Sequence, residues 1–264
     1  MAATEAIGEV IAAGTRLFTA QCPRALLHLP PAFGALVRIV PGSAAAQSAE
    51  SRAEAQSRKE THERQTFAAA SNIAGAGNLS AANAFDVSAP IDDPFADVPA
   101  PSAGLPPDVP DETLYAIVFS AATGSAEPGR RPTAYGLDEE QLRHEQPQIF
   151  DLLATEFSAL LVGYARGGRF HAGLPPRPAR LHAAVSDCSS REVCAVTETS
   201  DLLRALINSP ADVPTDELIV ACIRNAHACR NDDYRYLVRA GKQLAALLRE
   251  DPDRLTALLS RLEP

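Results

Sequence analysis

Residues 43–111 break the chain's composition in two. Of these 69 residues, 36 are Ala, Ser, Pro or Gly, and Phe67, Phe85 and Phe95 are widely spaced. Residues 50–64 mix four acidic with four basic side chains, and residues 86–111 carry six aspartates and no Lys or Arg. So little apolar surface does not offset the entropy of ordering a chain. The segment is therefore expected to be a disordered, acidic Ala/Ser/Pro-rich insert, with a transient helix near 53–70. Its bland role is a long linker, and its sharper one is a partner-binding tail around Asp92-Asp93-Pro94-Phe95.

The flanks read as β structure. Residues 7–14, 16–22 and 33–40 are apolar or alternating, and they end at Gly14, before Pro30-Pro31 and at Pro41-Gly42 respectively. A fourth strand is expected at 114–121, beyond the insert. Strands on both sides of one anomalous segment predict a single β unit interrupted by a loop, because closure entropy grows slowly with loop length. A loop over 123–132 follows. Asp138-Glu-Glu-Gln141 has capping-box spacing, and Pro147 opens a second helix over 148–155. Residues 157–164 and 170–174, joined through Arg166-Gly167-Gly168-Arg169, form a hairpin pattern. Pro175-Pro176-Arg177-Pro178 closes the β region.

The remainder reads as helical, with Ser189-Ser-Arg-Glu192 as a second capping box. Leu218, Ile219, Cys222, Ile223 and Ala226 share one helical face, and Leu237, Leu244, Leu247 and Leu248 another. The fold class expected is α+β: a small antiparallel β-barrel from 1–42 plus 112–180 with inserted helices, the insert at 43–111, and a helical C-terminal region over 181–264.

Chemistry-bearing patterns are sparse. The chain has 24 Lys and Arg against 33 Asp and Glu, a net charge of −9, which argues against a surface that grips DNA or anionic lipid over its whole extent. Five irregularly spaced cysteines do not make a disulfide framework and fit a reducing compartment. No apolar run nears the roughly 20 residues of a membrane span, and residues 1–9 do not resemble a secretion signal. A cytoplasmic location is expected. Gly241-Lys242 lacks the glycine-rich loop that cradles phosphates. Cys222, His227 and Cys229 invite a zinc reading, but the cysteines fall about 10 Å apart along one helix, so buried apolar cysteine is preferred. Glu139-Glu140 opens a helix, and His171 and His182 flank the proline turn in structural or solvated roles. Catalytic, cofactor-binding and metal-binding residues are therefore expected to be none. Arg130, Arg131, Arg166, Arg169 and Arg177, each next to Gly or Pro in an expected turn, are the candidates for an interaction surface, with Arg180 close by in sequence.

Ile7-Gly8-Glu9-Val10, Phe33-Gly34-Ala35-Leu36-Val37 and Tyr115-Ala116-Ile117-Val118 resemble the strand signature of the HAS barrel. That barrel is shared by HerA-type DNA-translocating ATPases and ATP synthase α and β subunits. Pro128-Gly129-Arg130-Arg131-Pro132, Glu145-Gln146-Pro147-Gln148, Thr155-Glu156-Phe157 and Leu174-Pro175-Pro176 are similar to segments of bacterial HAS-barrel proteins that lack the ATPase domain, as are the C-terminal Asp216-Glu217-Leu218-Ile219 and Asp253-Arg254-Leu255. The resemblance covers about 190 residues, everything outside the insert. It implies a non-catalytic interaction or assembly module whose partner is a protein, such as a ring ATPase. A nucleic-acid-binding accessory using the arginine loops and a hydrolase with an unrecognised site are the alternatives.

Overall fold

The computed structural model describes residues 6–42, 104–127, 129, 132–210 and 212–262. Residues 43–103, and with them most of the expected insert, lie outside the described residues.

Seven antiparallel strands form one sheet: β1 (Ala6–Ala13), β2 (Leu17–Gln21), β3 (Leu36–Ile39), β4 (Leu114–Ser125), β5 (Leu153–Arg166), β6 (Arg169–Ala172) and β7 (Ala184–Asp187). The order is β2-β1-β7-β3-β4-β5-β6, and β2 also pairs with β5. Six strands thus close a circuit of pairings, β1-β2-β5-β4-β3-β7 and back to β1. The second edge of β5 is shared: Glu156–Leu160 pair with β2, and Gly163–Arg166 with β6. β3 pairs directly with β4, from Leu36↔Ile117 to Ile39↔Leu114, so the strands on the two sides of the insert share one sheet, as their apolar pattern predicts.

Alternation sorts side chains to two faces. Val10, Phe18, Val37, Ala116, Phe157, Ala159 and Val185 belong to one buried cluster drawn from all six strands of the circuit. The other face, with Leu36, Tyr115, Ile117, Leu160 and Val162, packs on the helices. Leu114–Val118 of β4 and Ala159–Gly163 of β5 are therefore buried on two sides, which explains their near-continuous apolar runs.

The helices are α1 (Glu139–Glu145), α2 (Gln148–Asp151), α3 (Ser190–Val196), α4 (Asp201–Ile207), α5 (Thr215–Ala228), α6 (Tyr234–Leu247) and α7 (Pro252–Ser260). Both predicted capping boxes form, at Asp138 with Gln141 and at Ser189 with Glu192. On α5 all five predicted face residues are buried. On the C-terminal pair, Leu244 and Leu248 are buried, whereas Leu237 and Leu247 are only half-buried. Gly34 joins the two layers. Its φ is +78°, and an added Cβ would lie 2.5 Å from the Ala221 methyl of α5. Glycine meets both demands there.

The structure corrects four expectations. The region over 181–264 is not helical throughout: it begins with β7, which takes backbone pairs from β1 on one side and β3 on the other. The helix expected over 148–155 stops at Asp151, because from Leu153 the chain pairs with the far end of β4. That same pairing carries β4 through Gly124 and Ser125, into the expected 123–132 loop. Residues 104–111 form no helix or strand, as expected of the insert, but the expectation that they add nothing to the core fails. Instead Leu105 and Val109 are buried in the core beneath the helices, and the Leu105 N–H donates to the Gly168 carbonyl at 2.9 Å.

Candidate basic hairpin tip

The β5–β6 hairpin turns through Gly167 and Gly168, with φ of +58° and +68°. Two successive left-handed residues are what the tightest hairpin turn requires, and a Gly-Gly pair supplies them without strain. The turn sets Arg166 opposite Arg169, then Ala165 opposite Phe170, then Tyr164 opposite His171. By alternation Tyr164, Arg166, Arg169 and His171 lie on one face.

That face is an aromatic pair followed by a cationic pair. The Tyr164 and His171 rings stack with centroids 5.6 Å apart at 20°. His171 Nε2–H donates to the Arg166 carbonyl at 3.2 Å, which fixes the ring across the strand. Arg166 and Arg169 are exposed, and neither guanidinium has a hydrogen-bond or ion-pair partner among the described residues. Like charges directly opposite on neighbouring strands destabilise a pair.

The tip is held from behind. Asp111 Oδ1 accepts from the Gly167 N–H at 2.8 Å, and Leu105 N–H bonds Gly168. Glu112 N–H donates to the Ala165 carbonyl, and Ala165 N–H to that of Thr113, both at 2.8 Å. On the opposite face Phe170 meets Tyr115 edge-on at 5.8 Å and covers Gly163, where a Cβ would lie 2.3 Å from its ring. Four hydrogen bonds to its backbone and one half-buried ring make the tip a preorganised presenter of two cations.

Of the five arginines expected to form an interaction surface, the structure brings Arg166 and Arg169 together. Arg177 lies exposed in the 173–183 connection, with no ion pair among the described residues, as does Arg180. Arg130 and Arg131 lie outside the described residues.

Two ionic clusters, one buried and one half-buried, escaped the sequence reading. Glu192 of α3 is fully buried: Arg38 and the Tyr115 hydroxyl donate to Oε1 at 2.7 and 3.2 Å, and the Ser189 N–H and hydroxyl to Oε2 at 2.9 and 2.7 Å. Burial first, and then the Glu192 charge, push the Tyr115 hydroxyl well above its ordinary range. The second cluster ties the helices together. Arg230 donates to the carbonyls of Ala226 and Cys194, lies 4.1 Å over the Tyr236 ring, and shares the Glu198 carboxylate with Arg239. With every charge facing a protein partner, both clusters are structural.

Cys222 is buried in the core, and burial pushes its thiol up to about 12. His227 Nδ1 lies 3.5 Å from the Asp232 carboxylate. Among the described residues no three His, Cys, Asp or Glu side chains gather as a metal site would require. His182 bonds Glu9 on the surface, and Glu139 pairs with Arg143 one turn on, whose hydrogen bond holds its carboxyl low. No described helix is long and apolar enough to cross a membrane. No family model matches the chain, and no curated protein matches it.

Proposed function

We propose that the chain is a non-catalytic interaction module built on a small closed barrel of the HAS kind, docking a protein partner through the basic hairpin tip. The single observation that carries this reading is the Arg166–Arg169 pair, facing each other without an acidic partner among the described residues, on a tip whose backbone four hydrogen bonds hold in place. Such an arrangement costs stability in isolation and is relieved by an anionic group from outside. The circuit of six antiparallel pairings supports the barrel, because closure removes the free edges that a small sheet would otherwise expose. A ring ATPase is the partner class implied by the HAS-barrel resemblance.

A second reading, an accessory that binds single-stranded nucleic acid, draws on the stacked Tyr164–His171 pair beside the arginines, since bases stack on aromatic faces along a cationic track.

The test is the double variant Arg166→Glu/Arg169→Glu. Its thermal stability should stay within about 0.5 kcal/mol of wild type, because both side chains are solvated. Quantitative affinity purification from the native cell should recover a stoichiometric protein with wild type and about tenfold less with the variant. Equal recovery removes the tip as the docking site. Oligonucleotide binding that weakens with salt and is lost in the variant favours the second reading.

A further inference from the structure

β6 has one paired edge and one open edge. In a two-residue hairpin the residues flanking the turn, and every second residue beyond, exchange backbone hydrogen bonds across the pair. Arg169 and His171 therefore bond toward β5, while the N–H and C=O groups of Phe170 and Ala172 point away from it. Among the described residues no strand occupies that side.

A groove of about 530 Å³ lies there instead, with Phe170, Ala172 and Gly173 on one wall and Asp201 and Arg204 of α4, with Asn208 just past its end, on the other. These three residues share the helix's solvent face, opposite its buried Leu202, Leu203 and Leu206. A strand edge with unpaired backbone groups, facing a helix across a gap, is the geometry by which extended peptides add as a strand.

Charge selects the occupant. Arg169 lies on the edge, Arg166 at the turn, and Arg204 on the far wall, exposed and without a side-chain partner among the described residues. Among the described residues Asp201 is the one acidic group in the lining. A second copy pairing through its own β6 would bring a second Arg169 to the same short ladder, and like charges oppose edge-to-edge association. We propose that the β6 edge and α4 together bind an extended acidic peptide segment of a partner protein as an added antiparallel or parallel strand, its carboxylate meeting Arg204. This rests on the interaction-module reading above and names the chemistry of the partner.

The experiment is selection of a displayed library of random linear dodecapeptides on the full chain, followed by synthesis of the consensus. The consensus should alternate in polarity, carry Asp or Glu and lack central proline. The synthetic peptide should slow amide exchange at Phe170 and Ala172. It should bind Arg204→Glu, whose thermal melt matches wild type, about tenfold more weakly. An empty selection, a consensus without acid, protection elsewhere or equal affinity for Arg204→Glu overturns the assignment. Concentration-dependent self-association that blocks the peptide identifies a second copy as the occupant and also overturns it. If a native partner is lost from Arg166→Glu/Arg169→Glu but retained by Arg204→Glu, the groove assignment fails while the module reading stands.

Discussion

Glu192 and Arg38 meet across 154 residues of sequence, one at the third position of a helix and the other on a four-residue strand. The capping-box role of Glu192 is legible locally, because Ser-x-x-Glu is a spacing rule. Its burial is not, since it depends on β3 and β4 running past the start of α3. With side-chain exposures of 16% for Arg38 and 1% for Glu192, the pair is one in which removing a single partner strands a charge. Arg38→Met should cost about 3–5 kcal/mol in urea unfolding, and adding Glu192→Leu should recover part of that loss. A single variant within about 1 kcal/mol of wild type would show that water already relieves the charge. The candidate arginines were legible in a different way: glycines beside Arg166 and Arg169 announce an exposed turn, but only the register sets the two side by side.

β7 is the element that sequence reasoning missed, and the reason is physical. Ala184-Val-Ser-Asp187 follows a proline-rich stretch, and Val185 is its one β-branched apolar residue. Its strand conformation comes from two neighbours, β1 and β3, that lie far away in sequence. Local propensity does not contain that information. The same holds for the ribbon of β4 and β5 beyond Ala121, where Ala, Thr, Gly and Ser form a strand because a partner lies alongside. Helices fared better, since caps and period are local signals. Residues 104–111 looked like more of the insert because they share its Pro and Asp content, yet Leu105 and Val109 find a core to fill. Leu105→Ala should therefore lower stability by about 2–5 kcal/mol, the range for truncating a buried leucine. A change below about 0.5 kcal/mol in chemical denaturation would mean that this segment is detached in solution.

Across the whole molecule, burial leaves several weak acids protonated that water would let ionise. Cys188, Cys222, Tyr115 and Tyr236 are all raised, chiefly by burial, and Cys222 reaches about 12 against an ordinary thiol value of 9.0. The unfolded chain therefore loses protons first as the solution becomes alkaline. The stability linked to these groups is complete below about pH 9 and falls above it, by about 1.4 kcal/mol per pH unit for each thiol, until the folded-state value is passed. Thermal melts from pH 7.5 to 11 should be flat at first and then decline steadily; a flat profile throughout would contradict the burial. The closed circuit of strands also fixes a timetable. β1, β2 and β3 come from the first 39 residues, yet β3 pairs with β4 and β7, and β1 needs β7, with Ala6 facing Ser186. At a synthesis rate of about 5–20 residues per second, the first strand waits on the order of ten seconds or more before its second neighbour exists. Until β4 is made, in the first part of that interval, β3 has neither partner, and the nascent protein presents apolar strands that a chaperone or an early-binding partner would be the first to meet.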